Sequence, residues 1–268
     1  MAITTLDGAI AGAQPPDAFL KVGSTMEAIA TLHSLAYVSG QPGAAVAPSP
    51  GLAGAALTTY AGQIPFSNPV TGNSYLFRFD MRATGVGVLI LYDRLWHNSG
   101  FTVTTTTAQT VSSSAFPARD ADGTISGSGV QVAVEVSTAT TNAGAIANMT
   151  LTYTNSTNTG SRTATMTSFP ATAVAGTFVP FQLQAGDLGV KSIEALTLGT
   201  SLVTGVVHLV AYRELASIGC FIANTSDAVD ALTSGFVRMH DNTVPFLLWH
   251  PSATTGVTIA GKLVVTQG

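Results

Sequence analysis

Charged residues are scarce in this chain of 268 residues: only 9% are Asp, Glu, Lys or Arg, against roughly 25% in an average domain. Lysine occurs only at Lys21, Lys191 and Lys262, and no stretch is strongly basic. Nucleic-acid binding needs clustered Lys and Arg to neutralise phosphates, so no nucleic-acid partner is expected. A surface so poor in charge is weakly protected against association. We therefore predict a homo-oligomer, and the alternative is a weakly charged, stable monomer.

Cysteine and long apolar runs are also nearly absent. Cys220 is the one cysteine, which excludes an intrachain disulfide. Because it lies in the apolar run 218–223, it is predicted to be a buried small hydrophobic residue. No apolar run approaches the roughly 18 residues of a membrane-spanning helix. The first residues, MAITTLDGAIAGAQPP, lack the positive charge that opens a secretory signal. No membrane partner is predicted.

Alternation of apolar and polar residues is what the chain has in abundance. The clearest example is 130–136, where every second residue is valine. Such alternation has the two-residue period of a β-strand, and about ten segments of this kind follow one another with turn signals between them. The pattern predicts an all-β fold, an antiparallel β-sandwich of jelly-roll type with an N-terminal arm and one short helix.

The stretch 74–97 is predicted to organise the fold as a hairpin with a tight turn at Thr84-Gly85. In that register Phe79 lies opposite Ile90, and one face of the hairpin is apolar. Tyr75 would lie opposite Arg94 and could stack on its guanidinium group.

The other face of the predicted hairpin carries charge. Arg78, Asp80 and Arg82 alternate along its first strand, and Asp93 falls on the same face of the second strand. Neighbouring arginines lower the pKa of a carboxyl group, so these aspartates are predicted to be ion-paired and unsuited to acid catalysis. We consider Arg78, Asp80 and Asp93 a candidate partner-binding face.

Residues 1–73 are predicted to form an N-terminal arm, and residues 74–268 the β-sandwich domain. The arm is rich in Gly, Pro, Ala and Ser and contains one helix signal, the capping-box pattern Ser24-x-x-Glu27 ahead of a predicted helix over 25–38. A polar, flexible arm of this composition orders when it lies on a partner.

The predicted helix carries an apolar stripe. Met26, Ile29 and Tyr37 are its candidate anchors on a partner, and the alternative is that the helix caps the sandwich of its own subunit. His33 lies on the same stripe, where it is predicted to be a packed core histidine and not a ligand.

No set of catalytic or metal-binding residues emerges from the sequence. There is no G-x-S-x-G or phosphate-binding glycine loop, and the five histidines show no H-x-x-x-H or H-x-H spacing. The run Arg119-Asp120-Ala-Asp122-Gly123 resembles the start of a calcium loop but lacks its third acidic position and its distal glutamate, so it is predicted to be an Asp-Gly turn with a local Arg–Asp pair. We predict no enzyme activity, no cofactor and no metal.

Two tryptophans at predicted strand ends, Trp96 and Trp249, have two interpretations. They are predicted to plug the ends of the core, and the alternative is that they anchor a partner or, together with Tyr92, a sugar.

Several segments resemble a family of tailed-bacteriophage virion structural proteins. They are DRLWHNSGFTVTTTTAQTV (93–111), PARDADG (117–123), VHLVAYR (207–213) and DNTVPFLLWHPS (241–252), with the ending KLVVTQG. The resemblance runs from about residue 70 onward and marks no site, because these motifs are structural. Such families include capsid decoration, or cement, proteins that sit on the shell as oligomers.

The resemblance implies a non-enzymatic virion protein on the outer surface of the capsid. It would bind the major capsid protein or other virion subunits and stabilise the shell. A trimer is favoured because decoration proteins commonly occupy threefold positions. Two alternatives stay open at this point: a tail, fibre or baseplate component that binds host-surface carbohydrate, and a polysaccharide hydrolase.

Overall fold

The computed structural model describes residue 3 and residues 5–23, 31–166 and 168–268. Strands account for 42% of the structure and helices for 5%. The predicted fold class, an all-β antiparallel sandwich, is confirmed. None of the described helices is both long and apolar enough to cross a membrane.

Short helices and many strands follow one another along the chain. The helices are α1 (Leu6–Ala11), a single 3-10 turn (Leu35–Tyr37) and α2 (Ala231–Ser234). The strands are β1 (Asp17–Val22), β2 (Leu32–Ser34), β3 (Gly40–Gln41), β4 (Ala55–Ala56), β5 (Ser74–Ala83), β6 (Gly87–His97), β7 (Gln109–Thr110), β8 (Gln131–Thr138), β9 (Thr150–Asn155), β10 (Arg162–Thr165), β11 (Thr177–Pro180), β12 (Val190–Thr197), β13 (Val206–Cys220), β14 (Ser226–Asp230), β15 (Arg238–Met239), β16 (Pro245–Pro251) and β17 (Thr258–Gln267).

Three antiparallel sheets organise these strands. The largest has the order β13-β8-β11-β2-β16-β6-β4, and a further pairing of β13 with β6 closes it into a barrel. A second sheet has the order β14-β5-β17-β1-β3, with β15 also paired to β5, and the third has the order β10-β9-β12-β7. Closure leaves the barrel with few free edges, which protects it against edge-to-edge aggregation.

The barrel strands contribute to three apolar clusters. Val132, Val134 and Val136 of β8 pack with residues of the four-stranded sheet, whereas Ala133 belongs to the cluster inside the barrel with Tyr92 and Phe178. This follows from the alternation of side chains along a strand. A third cluster joins the barrel to the six-stranded sheet. The barrel is therefore covered on two sides.

The hairpin predicted for 74–97 is wrong. β5 pairs with β17 and β14, so Phe79 lies opposite Leu263 and Val229, whereas β6 pairs with β13, β16 and β4. The two strands lie in different sheets, and their apolar faces meet in one cluster that contains Phe79 and Leu89. Two consecutive strands with apolar faces need not pair within one sheet. They can also lie in two sheets that pack face to face.

The predicted helix over 25–38 is wrong from residue 32 onward. Leu32–Ser34 is a strand that pairs with β11 and β16, and Leu35–Tyr37 is a 3-10 turn. Pairing on both edges satisfies the backbone of this segment in the barrel wall and outweighs its helical pattern. The rest of the prediction, with Met26 and Ile29, lies outside the described residues.

The segment predicted to be an arm is inserted in the sheets. β1 lies between β17 and β3, and β2 lies between β11 and β16. Leu35 and Ile64 are buried in the cluster between the barrel and the six-stranded sheet. That residues 74–268 form a domain of their own stays a prediction. In the structure, β1, β2, Leu35 and Ile64 contact the strands and core of that segment.

Candidate interaction surfaces

A buried ion pair lies inside the barrel, where Arg94 of β6 meets Glu135 of β8. Arg94 Nη1 donates to Glu135 Oε1 at 2.9 Å, and Nη2 donates to Oε2 at 2.6 Å. Both side chains are almost completely excluded from solvent. Burial alone would raise the pKa of the Glu135 carboxyl, but the charge and hydrogen bonds of Arg94 outweigh burial and lower that pKa to about 2. The pair is therefore charged at neutral pH.

Tyr37 belongs to this buried pair. Its hydroxyl donates to Glu135 Oε2 at 3.0 Å, and the residue is partly buried. The rings of Tyr60 and Phe246 flank the Arg94 guanidinium, with their centroids 5.9 and 5.8 Å from Cζ. The predicted stacking of Tyr75 on Arg94 is wrong, because Tyr75 stacks on Arg238 at 5.5 Å. Whether Tyr37 also binds a partner stays a prediction.

Asp93 does not belong to a charged surface with Asp80. It is fully buried and accepts from Arg119 Nε at 2.9 Å, Arg119 Nη2 at 3.1 Å and the backbone N–H of Val244 at 2.9 Å. The prediction failed because it assumed that β5 and β6 are paired. A fully buried carboxylate bonded to its own chain is not available to a partner.

The predicted local pair is wrong, because Arg119 forms its ion pair with Asp93 and with neither Asp120 nor Asp122. The Asp120 carboxylate accepts hydrogen bonds from the loop that follows it, including the backbone N–H groups of Thr124 at 2.7 Å and Gly127 at 2.9 Å. Burial alone would raise the pKa of Asp120, but these hydrogen bonds outweigh it and lower the pKa. The motif therefore builds an ordered loop. Among the described residues, no group of three or more His, Cys, Asp or Glu could hold a metal ion.

Arg78 and Asp80 are the two predicted partner-binding residues that lie together at the surface. They form an ion pair of 3.2 Å on β5, with 55% and 25% of their side chains exposed. An exposed pair of this kind contributes little to stability. A role for it in partner binding stays a prediction.

The aromatic residues considered for sugar binding are buried. Trp96, Trp249 and Tyr92 have 0% exposure, and Trp96 Nε1 donates to Ser114 Oγ at 3.0 Å. His33 is likewise fully buried, and burial lowers its pKa to about 4, although the negative charge of Glu135 opposes this. The tryptophans and His33 are core residues, as predicted, and Cys220 is buried as well.

An exposed apolar surface includes one face of helix α1 and residues from β5, α2 and the segment after α2. We call it the α1 patch and define it as Leu6, Ile10, Tyr75, Leu232 and Phe236. Leu6, Ile10, Leu232 and Phe236 are 40–72% exposed, and the edge of one ring meets the face of the other between Tyr75 and Phe236, with centroids 6.2 Å apart. All but Ile10 line an open cavity of about 350 Å³.

Local structure explains why α1 presents these side chains. The helix begins after Thr5, whose Oγ1 accepts from the backbone N–H of Gly8 at 3.0 Å. Ala9 faces inward, where its carbonyl oxygen accepts from the Thr266 hydroxyl. Leu6 and Ile10, four residues apart, share the other face of the helix.

A second apolar surface lies at the end of β13. We call it the Phe221 patch and define it as Val86, Phe221 and Ile222, which are 38%, 80% and 68% exposed. Val86 and Phe221 line a groove of about 300 Å³ together with His250 and Pro251. The sequence placed Phe221 and Ile222 in an apolar run with Cys220, and burial of the cysteine alone was predicted from it.

Comparisons with known proteins do not identify a family for this chain. No protein-family model matches this chain, and no curated protein matches it. Among solved structures, the chain is similar to a VP2 subviral particle of infectious bursal disease virus, with 8% identity, a TM-score of 0.20 and coverage of 95% of this chain and 80% of that chain. The structure of the Gt strain of that virus gives 9% identity, a TM-score of 0.18 and coverage of 94% and 81%. Likeness at these TM-scores does not indicate a common fold.

Proposed function

We propose that this chain is a non-enzymatic structural protein of a tailed-phage virion, which decorates the outer surface of the capsid and binds the major capsid protein. The exposed α1 and Phe221 patches support a protein-binding role most directly. Contiguous exposed apolar surface on a soluble fold marks contacts with other molecules, and here it occurs on a chain in which only 9% of residues are charged. The resemblance of segments 93–111 and 241–252 to phage virion proteins supports the virion as the setting.

The structure offers less support for the carbohydrate-binding alternative. The aromatic side chains on which it depended, Trp96, Trp249 and Tyr92, are fully buried. A ring stacks on a sugar only where its face is open to solvent. Protein subunits are therefore the proposed partners.

Immunogold labelling of virions tests the proposed location. Antibodies raised against the purified protein are expected to label intact capsids over their whole surface, because a decoration protein occupies many equivalent sites. Pre-absorption of the antibodies with the purified protein is the control. Labelling confined to the tail or baseplate would contradict the decoration role and support a tail component.

We further propose that the α1 patch joins copies of this chain into a closed oligomer, with a trimer favoured. Exposed apolar side chains on a ring of identical subunits are covered through cyclic symmetry. The double substitution Leu232→Ser and Phe236→Ser is expected to convert the oligomer to a monomer in light scattering at micromolar concentration.

The matched control for this experiment is Val70→Ser, since Val70 is fully exposed and lies outside both patches. This variant is expected to keep the mass of the parent protein. A monomeric parent protein, or a double variant that keeps the parent mass, would count against the α1 patch as the subunit contact.

A further inference from the structure

Three basic side chains, Arg213, Arg238 and His240, lie beside the loop that follows Asp120. Arg213 of β13 lies opposite Asp93 on the neighbouring strand, and its Nη2 donates to the backbone oxygen of Arg238 at 2.8 Å. His240 follows β15 directly. The positive charges of both arginines lower the pKa of its imidazole, in addition to the larger effect of burial. The three side chains therefore share one small region.

Hydrogen-bond donors in this region outnumber the acceptors. Arg213 is only 6% exposed. The Nε atoms of Arg213 and Arg238 and the Nε2 atom of His240 are buried and have no hydrogen-bond partner within the described part of the chain. No carboxylate of the described residues forms an ion pair with Arg213 or Arg238.

The two buried carboxylates of this region, those of Asp93 and Asp120, are already hydrogen-bonded to other groups. Asp93 accepts from Nε and Nη2 of Arg119 and from the backbone N–H of Val244, and Asp120 accepts six hydrogen bonds from its own loop. Neither of these two carboxylates therefore forms an ion pair with Arg213 or Arg238.

A buried N–H donor of a guanidinium group that has no acceptor is costly, because it loses its hydration and gains no hydrogen bond in return. Guanidinium groups bind the oxygens of phosphate and similar anions through paired N–H donors. We infer that Arg213, Arg238 and His240 form a binding site for a small tetrahedral oxyanion of the phosphate class. The anion would accept from the two Nε–H groups and from protonated His240.

The surroundings hold the site in place. A Cβ atom at Gly123 would lie 2.7 Å from His240 Cε1, and Gly123 has a positive φ of 74°, so glycine alone lets the loop pack against the imidazole. The Tyr75 ring packs against the Arg238 guanidinium, with its centroid 5.5 Å from Cζ. These contacts fix two of the three side chains before any anion binds, which lowers the entropy cost of binding.

Titration with inorganic phosphate tests the site, with chloride at the same ionic strength as the reference. Isothermal calorimetry is expected to show saturable binding to the parent protein, and Arg238→Met is expected to abolish it. Arg82→Met is the matched control, because Arg82 is exposed on β5 and forms none of the ion pairs of the described residues; this variant is expected to bind phosphate like the parent.

A second measurement on the unsubstituted protein keeps the test independent of folding defects. Followed by NMR, the pKa of His240 is expected to rise on addition of phosphate, because a bound anion offsets the charges of Arg213 and Arg238. Acetate separates a general carboxylate site from a phosphate site, and binding of acetate as tight as that of phosphate would overturn the assigned ligand class. Absence of saturable binding, or an equal response in Arg238→Met, would overturn the site itself.

Discussion

Replacement of Arg94 by methionine is expected to lower the free energy of unfolding by roughly 3–5 kcal/mol, the usual cost of removing one partner from a buried ion pair. The substitution leaves the Glu135 carboxylate inside the barrel without its two hydrogen bonds of 2.9 and 2.6 Å from the guanidinium. The Tyr37 hydroxyl, which donates to Glu135 at 3.0 Å, is neutral and cannot compensate the charge. Urea denaturation at pH 7 measures the loss.

The exposed pair Arg78–Asp80 supplies the matched control. Arg78→Met removes a guanidinium group from a surface pair and is expected to change stability by no more than about 1 kcal/mol. The double variant Arg94→Met, Glu135→Met is expected to recover part of the loss, because no unpaired charge is left in the barrel. Equal effects of Arg94→Met and Arg78→Met would mean that the buried pair is not a pair in solution.

Strand positions were predictable because they depend on a short-range pattern. The valines of 130–136 alternate with other residues, and in the structure Val132, Val134 and Val136 all face the four-stranded sheet. Many segments of this kind, joined by turns, can bury their apolar faces when antiparallel sheets pack on one another as a sandwich. The fold class follows from that reasoning.

Strand partners were not predictable in the same way. The two-residue period says which side chains share a face, but not which strand lies alongside. β5 and β6 are adjacent in sequence with a short connection, yet β5 pairs with β17, almost two hundred residues further along the chain. The grouping of Asp93 with Asp80 and that of Tyr75 with Arg94 assumed this pairing and therefore failed, whereas Phe79 is buried and both aspartates are ion-paired, as predicted.

The buried ion pairs were missed for a related reason. Glu135 is the only charged residue of β8, and Arg94 comes after Asp93 at the end of an apolar run. Each alone is an unusual residue for a core. Their partnership depends on barrel closure, which sets β6 and β8 on either side of β13. A charged residue inside an otherwise apolar strand is the sequence signal of a buried ion pair. It predicts that a partner of opposite charge is buried nearby, but it does not show which residue that partner is.

A chain that begins at Asn73 is expected not to fold, and this is the largest effect that the structure implies. The truncation removes β2 from the barrel wall, which leaves the facing edges of β11 and β16 without their partner. It also removes β1 from the edge of β17, where six residue pairs are lost. Buried backbone groups without partners and a core opened to water both act against folding.

A chain that begins at Pro16 is the matched control, because it lacks α1 but keeps β1 and β2. Only Ala9 of α1 is buried, so this shorter deletion is expected to leave a folded protein with a cooperative unfolding transition. The chain from Asn73 is expected to be insoluble, or to lack such a transition in urea with circular dichroism as the probe. If instead it unfolds cooperatively, residues 74–268 form a domain of their own, and the strands before them are an arm that docks on a finished sandwich. Failure of the chain from Asn73 alone, with the chain from Pro16 intact, would show that β1, β2 and the residues up to 73 complete the barrel and its covering sheet.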